Sequence, residues 1–278
     1  MRRLDSMPDY ARPFAAMLDV VAGLIGATAD RAIAPGEEWL YYRHVLALKL
    51  LRHLQSLLKL EADQASCAVL ARAAIDSYLH FHFLFGSGDA GLAKFRFNAW
   101  RLNGMAEGKK LKKPGPPEKQ EMQELQQWLK GSPLLAHYAE ADQKKLLRGE
   151  WQAGHSWDER ALAAGLGSAH FRSLYLHLGG YSQTSFTSAM QIAQSNLSDS
   201  HSLGATVRAM AVAVMTEFAT VYAGLAGGAR LKDLPCLDEQ DWRAMLERQE
   251  AESRRGDERK TVSCRWNQTL MLPYAQKR

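Results

Sequence analysis

Cysteine is scarce in this chain: Cys67, Cys236 and Cys264 are the only three in 278 residues, far apart and never at C-x-x-C spacing. That excludes a disulfide framework and a zinc site of ordinary spacing, and it fits a reducing cytoplasm. Alternating Val/Ile/Thr runs and Asn-Gly hairpin turns are also missing, so no sheet is expected. There is no Walker A loop, no strand–glycine loop–helix fingerprint, no HExxH and no nucleophile elbow. Carboxylate clusters with di-metal spacing are absent, and nothing calls for a cofactor or a metal.

Long apolar runs are few. The segment Ala209–Gly228 has the length of a membrane span, but Glu217 sits near its centre, where lipid makes a carboxylate costly. A buried core helix is the expectation. The N-terminus loosely mimics a secretory signal, yet Asp5, Asp9, Arg12 and Pro13 precede the apolar stretch and Asp19 interrupts it. A cytoplasmic protein without a membrane anchor is expected.

What is present is helical periodicity. The 46% hydrophobic and 23% charged content is globular, and a chain this long can bury a sizeable core. The net charge of +5 permits contact with nucleic acid without requiring it. Helices are expected over about 10–32, 37–60, 64–85, 90–105, 118–130 and 203–225. Another begins near Ser168 and ends at the Gly179-Gly180 pair, and a last amphipathic one starts at Asp238. Ser132 before Pro133 has the look of a helix cap, and Ser156 with Glu159 has capping-box spacing. The reading is all-α: one helical bundle of roughly eight to ten helices over residues 1–250, an exposed basic loop at 108–118, and a loosely ordered tail at 251–278.

Two polar constellations stand out. The helix "ASCAVLARAAIDSYLHFHFLF" is apolar on nearly every side, so it belongs at the centre of the bundle. Arg72, Asp76 and His80 break it at i, i+4, i+8, along one stripe. If the stripe faces solvent, it holds an Arg–Asp pair contributing about 0.3–0.5 kcal/mol. If it faces a polar cavity, the three groups can bind an anion or move a proton. His82 lies off the stripe and is expected to pack.

The second constellation lies in "RSLYLHLGGYSQTS". Arg172 can hold a phosphate bidentately, and His177 can pass a proton near neutral pH. That pair suffices for metal-independent RNA cleavage. On an ideal helix the two diverge by about 140°, so they converge only across a groove or at a distorted helix end. Trp151, His155 and Trp157, around the Ser156 cap, can line the same pocket or form a hydrophobic lid. Lys109, Lys110, Lys112 and Lys113 can meet phosphates but have no aromatics between them for base stacking.

The stretches "LARAAIDSYLHFHFLF" and "SWDERALAAGLGSAHFRSLYLHLGGYSQTS", with Trp151 before the second, resemble a bacterial all-helical family of unknown function. Its members have an Arg-x-x-x-acid pair on an early helix, matched here by Arg72 and Asp76. A later aromatic/small/His segment follows. The histidine of that segment would fall near Ser182, with His177 about one turn earlier. The chain is more distantly similar to the HEPN helical bundles, which carry an arginine shortly before a histidine, as Arg172 and His177 do. That resemblance implies a toxin or defence ribonuclease acting on RNA, in a homodimer, with Arg172 and His177 catalytic. Arg72, Asp76, His80, Trp151, His155 and Ser182 would then support the pocket. The competing expectation is a non-catalytic helical protein that binds a ligand or a protein partner.

Overall fold

The computed structural model describes residues 11–29, 33–60, 64–111, 115–182 and 200–225. Among them are nine α-helices and no strand. They are α1 (Ala11–Gly26), α2 (Glu38–Lys59), α3 (Gln64–Phe85), α4 (Ala90–Leu111), α5 (Pro116–Gly131), α6 (Glu140–Leu147), α7 (Trp157–Ala163), α8 (Ala169–Ser182) and α9 (Ser200–Leu225). The all-α bundle is as the sequence indicates. All described residues fall within one unit, Met1–Leu234. The expected boundary at 250, the tail and the helix from Asp238 lie outside the described residues.

The central position of α3 follows from its composition. It packs against α2, α9, α8, α4 and α7, while α1 closes the gap between α2 and α9. Tyr78 and Phe81 of α3 meet Phe218 and Tyr222 of α9, with Phe81 and Phe218 ring centroids 4.9 Å apart, and Phe85 packs edge-on to Phe81. Each of these rings is almost wholly buried, a gain of about 1.5–3 kcal/mol apiece by area. On α2, Leu46, Leu50, Leu54 and Leu57 form the buried stripe their spacing implies. The hydroxyls of Thr28 and Tyr222 share a 2.6 Å hydrogen bond, tying the end of α1 to α9. A second apolar cluster joins Phe95 and Leu102 of α4, Leu125 and Leu129 of α5, and Leu146 of α6. Among the described residues no helix is long and apolar enough to cross a membrane. The α9 part of the Ala209–Gly228 segment is core, with Val212, Val214, Met215 and Phe218 buried.

Local details depart from expectation in three places. Helix α4 runs to Leu111 and α5 begins at Pro116, so the helices reach well into the expected loop at 108–118. Ser132 precedes a single 3-10 turn, Pro133–His137, rather than an α-helix, and its side chain makes no capping bond. Helix α8 does not stop at Gly179-Gly180 but continues to Ser182.

Candidate functional site

The turn before α8 is set by local chemistry. Ser156 Oγ accepts from the Glu159 N–H at 3.2 Å, and Glu159 Oε2 accepts from the Ser156 N–H at 2.7 Å, so the expected capping box is present. Helix α7 then ends at Gly165, whose φ of 77° is left-handed. The N–H of Gly165 donates to Leu162 O and that of Leu166 to Ala161 O, a Schellman closure that glycine permits. Tyr78 O–H donates to Ala164 O at 2.9 Å, pinning this corner to α3. The corner delivers Trp157 and Arg160 of α7 and Tyr175 of α8 onto the polar stripe of α3.

Tyr175 is the hub. Its O–H donates to Asp76 Oδ1 at 2.8 Å. The Trp157 indole stacks on one face, with centroids 4.4 Å apart and planes 27° apart. The Arg72 guanidinium carbon lies 4.9 Å from the ring centroid. With one face occupied at that distance, Arg72 takes the other. Arg72 Nε is also 4.0 Å from Asp76 Oδ2. Arginine over a tyrosine face is a cation–π contact of about 0.5–1 kcal/mol when exposed, and more when desolvated.

Gly179 explains the run of α8 through the glycine pair. A Cβ there would fall well inside contact distance of Arg72 Nη1. The missing side chain makes room for the guanidinium, so Gly179 serves packing between helices rather than termination of one.

Arg160 completes the group. It is half-buried, and its Nε has a long 3.4 Å bond to Ser156 O. Among the described residues no carboxylate lies within ion-pair distance of it. Burial lowers its pKa, while Asp76 and Tyr175 oppose that shift. His80 sits edge-on to Trp151, with centroids 5.2 Å apart. Burial first, and then the charge of Arg160, holds His80 below its ordinary value, with Asp76 pulling the other way. Burial raises Tyr175, and its bond to Asp76 raises it further. The Nε1 of Trp157 is buried without a hydrogen-bond partner among the described residues.

Of the residues singled out in the sequence, Arg72, Asp76 and His80 do share one face with α7 and α8, and Trp151 touches it through His80. His155 is edge-on to Phe83 at 5.0 Å and to Tyr138 at 5.8 Å. Arg172 and His177 are not brought together. Arg172 is exposed, with its Nε 3.2 Å from Asp158 Oδ1. His177 is exposed and edge-on to Tyr181. It follows Tyr175 by two residues, which turns it about 200° away from α3. Ser182 ends α8, and its side chain lies outside the described residues. Lys109 and Lys110 are exposed on the last turn of α4, where Lys110 pairs with Glu107 at 2.8 Å. Lys112 and Lys113 lie outside the described residues.

Sequence reasoning missed Tyr175, Arg160 and Gly179. Only Gly179 carried a signal: a glycine pair inside a helical pattern has a packing reason more often than a long helix tolerates it idly. Among the described residues no group of three or more His, Cys, Asp or Glu is placed to hold a metal ion. Comparison of the chain with family models, curated proteins and solved structures finds no match.

Proposed function

We propose that this chain is a non-catalytic helical binding protein whose α3–α7–α8 face takes an anionic partner, single-stranded RNA being the class its chemistry suits. The observation that carries the reading is Arg160: a half-buried guanidinium with no carboxylate in ion-pair range among the described residues, held beside Asp76 and Tyr175. A phosphate would supply a closer anion than Asp76, through a bidentate contact. Trp151 and His80 next to it offer ring surface to a base. The positive net charge of the chain favours the encounter.

The test is fluorescence anisotropy with a labelled oligouridylate. Arg160→Gln should weaken binding about tenfold, or ~1.4 kcal/mol. It should also lower the salt slope by about one phosphate contact. Equal affinity for the variant and the wild type overturns the reading.

The ribonuclease reading of Arg172 and His177 has less support, because Arg172 is engaged by Asp158 and His177 faces away from α3. RNA incubated with the wild type and with His177→Ala, in the absence of metal, decides between the two. Cleavage by the wild type that disappears in the variant would replace the binding reading with the enzymatic one.

A further inference from the structure

A separate cleft of about 620 Å³ opens at the other end of α3, between the starts of α2 and α4 and the end of α9. Its volume falls in the range of small-molecule sites. Trp39, Phe85 and Val221 give it apolar walls, and Trp39 stacks on Phe85 with centroids 6.2 Å apart. Three charged side chains line it: Arg43, Glu37 and Asp89. Arg43 is 7% exposed, with its guanidinium carbon 5.7 Å from the Trp39 ring centroid. Glu37 and Asp89 are exposed at the rim.

The turn between α3 and α4 and the start of α4 carry glycines at 86, 88 and 91, the spacing of a phosphate loop. The hydrogen bonds exclude that use. The N–H groups of Gly86, Gly88 and Asp89 already donate to His82 O, Phe85 O and Ser87 Oγ. Asp89 Oδ1 accepts from the Leu92 N–H at 3.0 Å, so a carboxylate caps α4 where a phosphate would sit. A polyanion would also meet two rim carboxylates. A simple cation would meet a buried guanidinium. Only a ligand bearing both signs matches the lining.

We propose that this cleft binds a small zwitterion with an apolar body, its carboxylate on Arg43, its ammonium between Glu37 and Asp89, and its body against Trp39 and Phe85. An arginine has five N–H donors, so Arg43 can serve a ligand carboxylate alongside its neighbours in the protein.

Calorimetric titration of the full chain with L-phenylalanine, 2-phenylethylamine and 3-phenylpropionate tests this. L-phenylalanine should bind, and each single-charge analogue at least about tenfold more weakly, because each lacks one of the two charged contacts that the lining offers. Gly224 lines the cleft, and a Cβ built there meets no atom of the described residues within 4 Å. Gly224→Leu should therefore fill the cleft and abolish binding, while keeping or raising the melting temperature through better helix propensity. Arg43→Gln should weaken L-phenylalanine at least about tenfold; should that variant fail to fold, Gly224→Leu decides alone. No binding of L-phenylalanine by the wild type, equal binding of all three compounds, or undiminished binding by Gly224→Leu would overturn the proposal.

Discussion

Gly179 of α8 lies against the guanidinium of Arg72 on α3, occupying a position that no residue with a Cβ could hold without displacing it. Arg72 in turn covers a face of Tyr175, and Tyr175 holds Asp76. One absent methyl group therefore permits a chain of contacts that seats α8 and α7 on the central helix.

Gly179→Ala is expected to forgo the usual helical gain, because the flexible Arg72 side chain must swing off the Tyr175 ring and lose a contact of about 0.5–1 kcal/mol. The matching substitution Gly104→Ala, inside α4 where an added Cβ meets nothing among the described residues within 4 Å, should instead stabilise by about 0.5–1 kcal/mol. Urea midpoints of the two variants check the difference. A stabilising Gly179→Ala would mean that Arg72 does not need the space.

The hydrogen bond between Tyr175 and Asp76 is open to a double-mutant cycle. Tyr175→Phe should cost about 1 kcal/mol, since it removes the donor but keeps the ring between Arg72 and Trp157. Asp76→Asn should cost a similar amount. The double variant should fall short of the sum by more than about 0.5 kcal/mol, as expected for groups in contact. Strict additivity in chemical denaturation would show that the two side chains act independently.

Much of this architecture was legible from spacing. The bounds of α3, the buried face of α2 and the Ser156–Glu159 box all depend on neighbours within a few residues, and the sequence displays such neighbours directly. The site was only half legible. Arg72, Asp76 and His80 announced themselves as polar groups in an apolar helix. Their partner Tyr175 is 99 positions from Asp76, and an ordinary tyrosine on an amphipathic helix carries no mark of what it will meet. Arg160 was hidden because an arginine in the middle of a short helix looks like any solvated cation. The Gly179-Gly180 pair pointed the wrong way, since glycine marks helix ends and close packing alike.

Acid should destabilise the fold from near neutrality downward. His53, His80, His82 and His155 all lie below the ordinary imidazole value of 6.5 because burial disfavours their charged forms, with Arg96 adding to the effect at His82 and His155. Their folded values are lowered, so between those values and 6.5 the unfolded chain binds more protons than the folded one. Stability then rises with pH through this window and is lost as pH falls below 6.5. Urea midpoints between pH 7.5 and 5 should drop steadily, and His80→Asn should flatten the decline. A midpoint insensitive to pH across that range would contradict the burial of these rings.

Glu217 works in the opposite direction. It stands in apolar α9 beside the α7–α8 corner, where a Cβ added at Gly165 would come within 2.6 Å of its Oε2. Burial alone raises its pKa, so its charged form is disfavoured in the folded state and its contribution to stability is lost as pH rises through the folded value. A neutral side chain of the same shape has no such cost. Glu217→Gln should therefore raise the melting temperature at pH 7 by about 2–4 °C, the shift that roughly 1 kcal/mol gives in a chain of this size. The gain should vanish in acid, where the wild-type carboxyl is itself protonated. Melting curves of the two proteins at pH 4 and pH 7 make the comparison. A destabilising Glu217→Gln at pH 7 would mean that the carboxylate is ionised and held there by a positive partner.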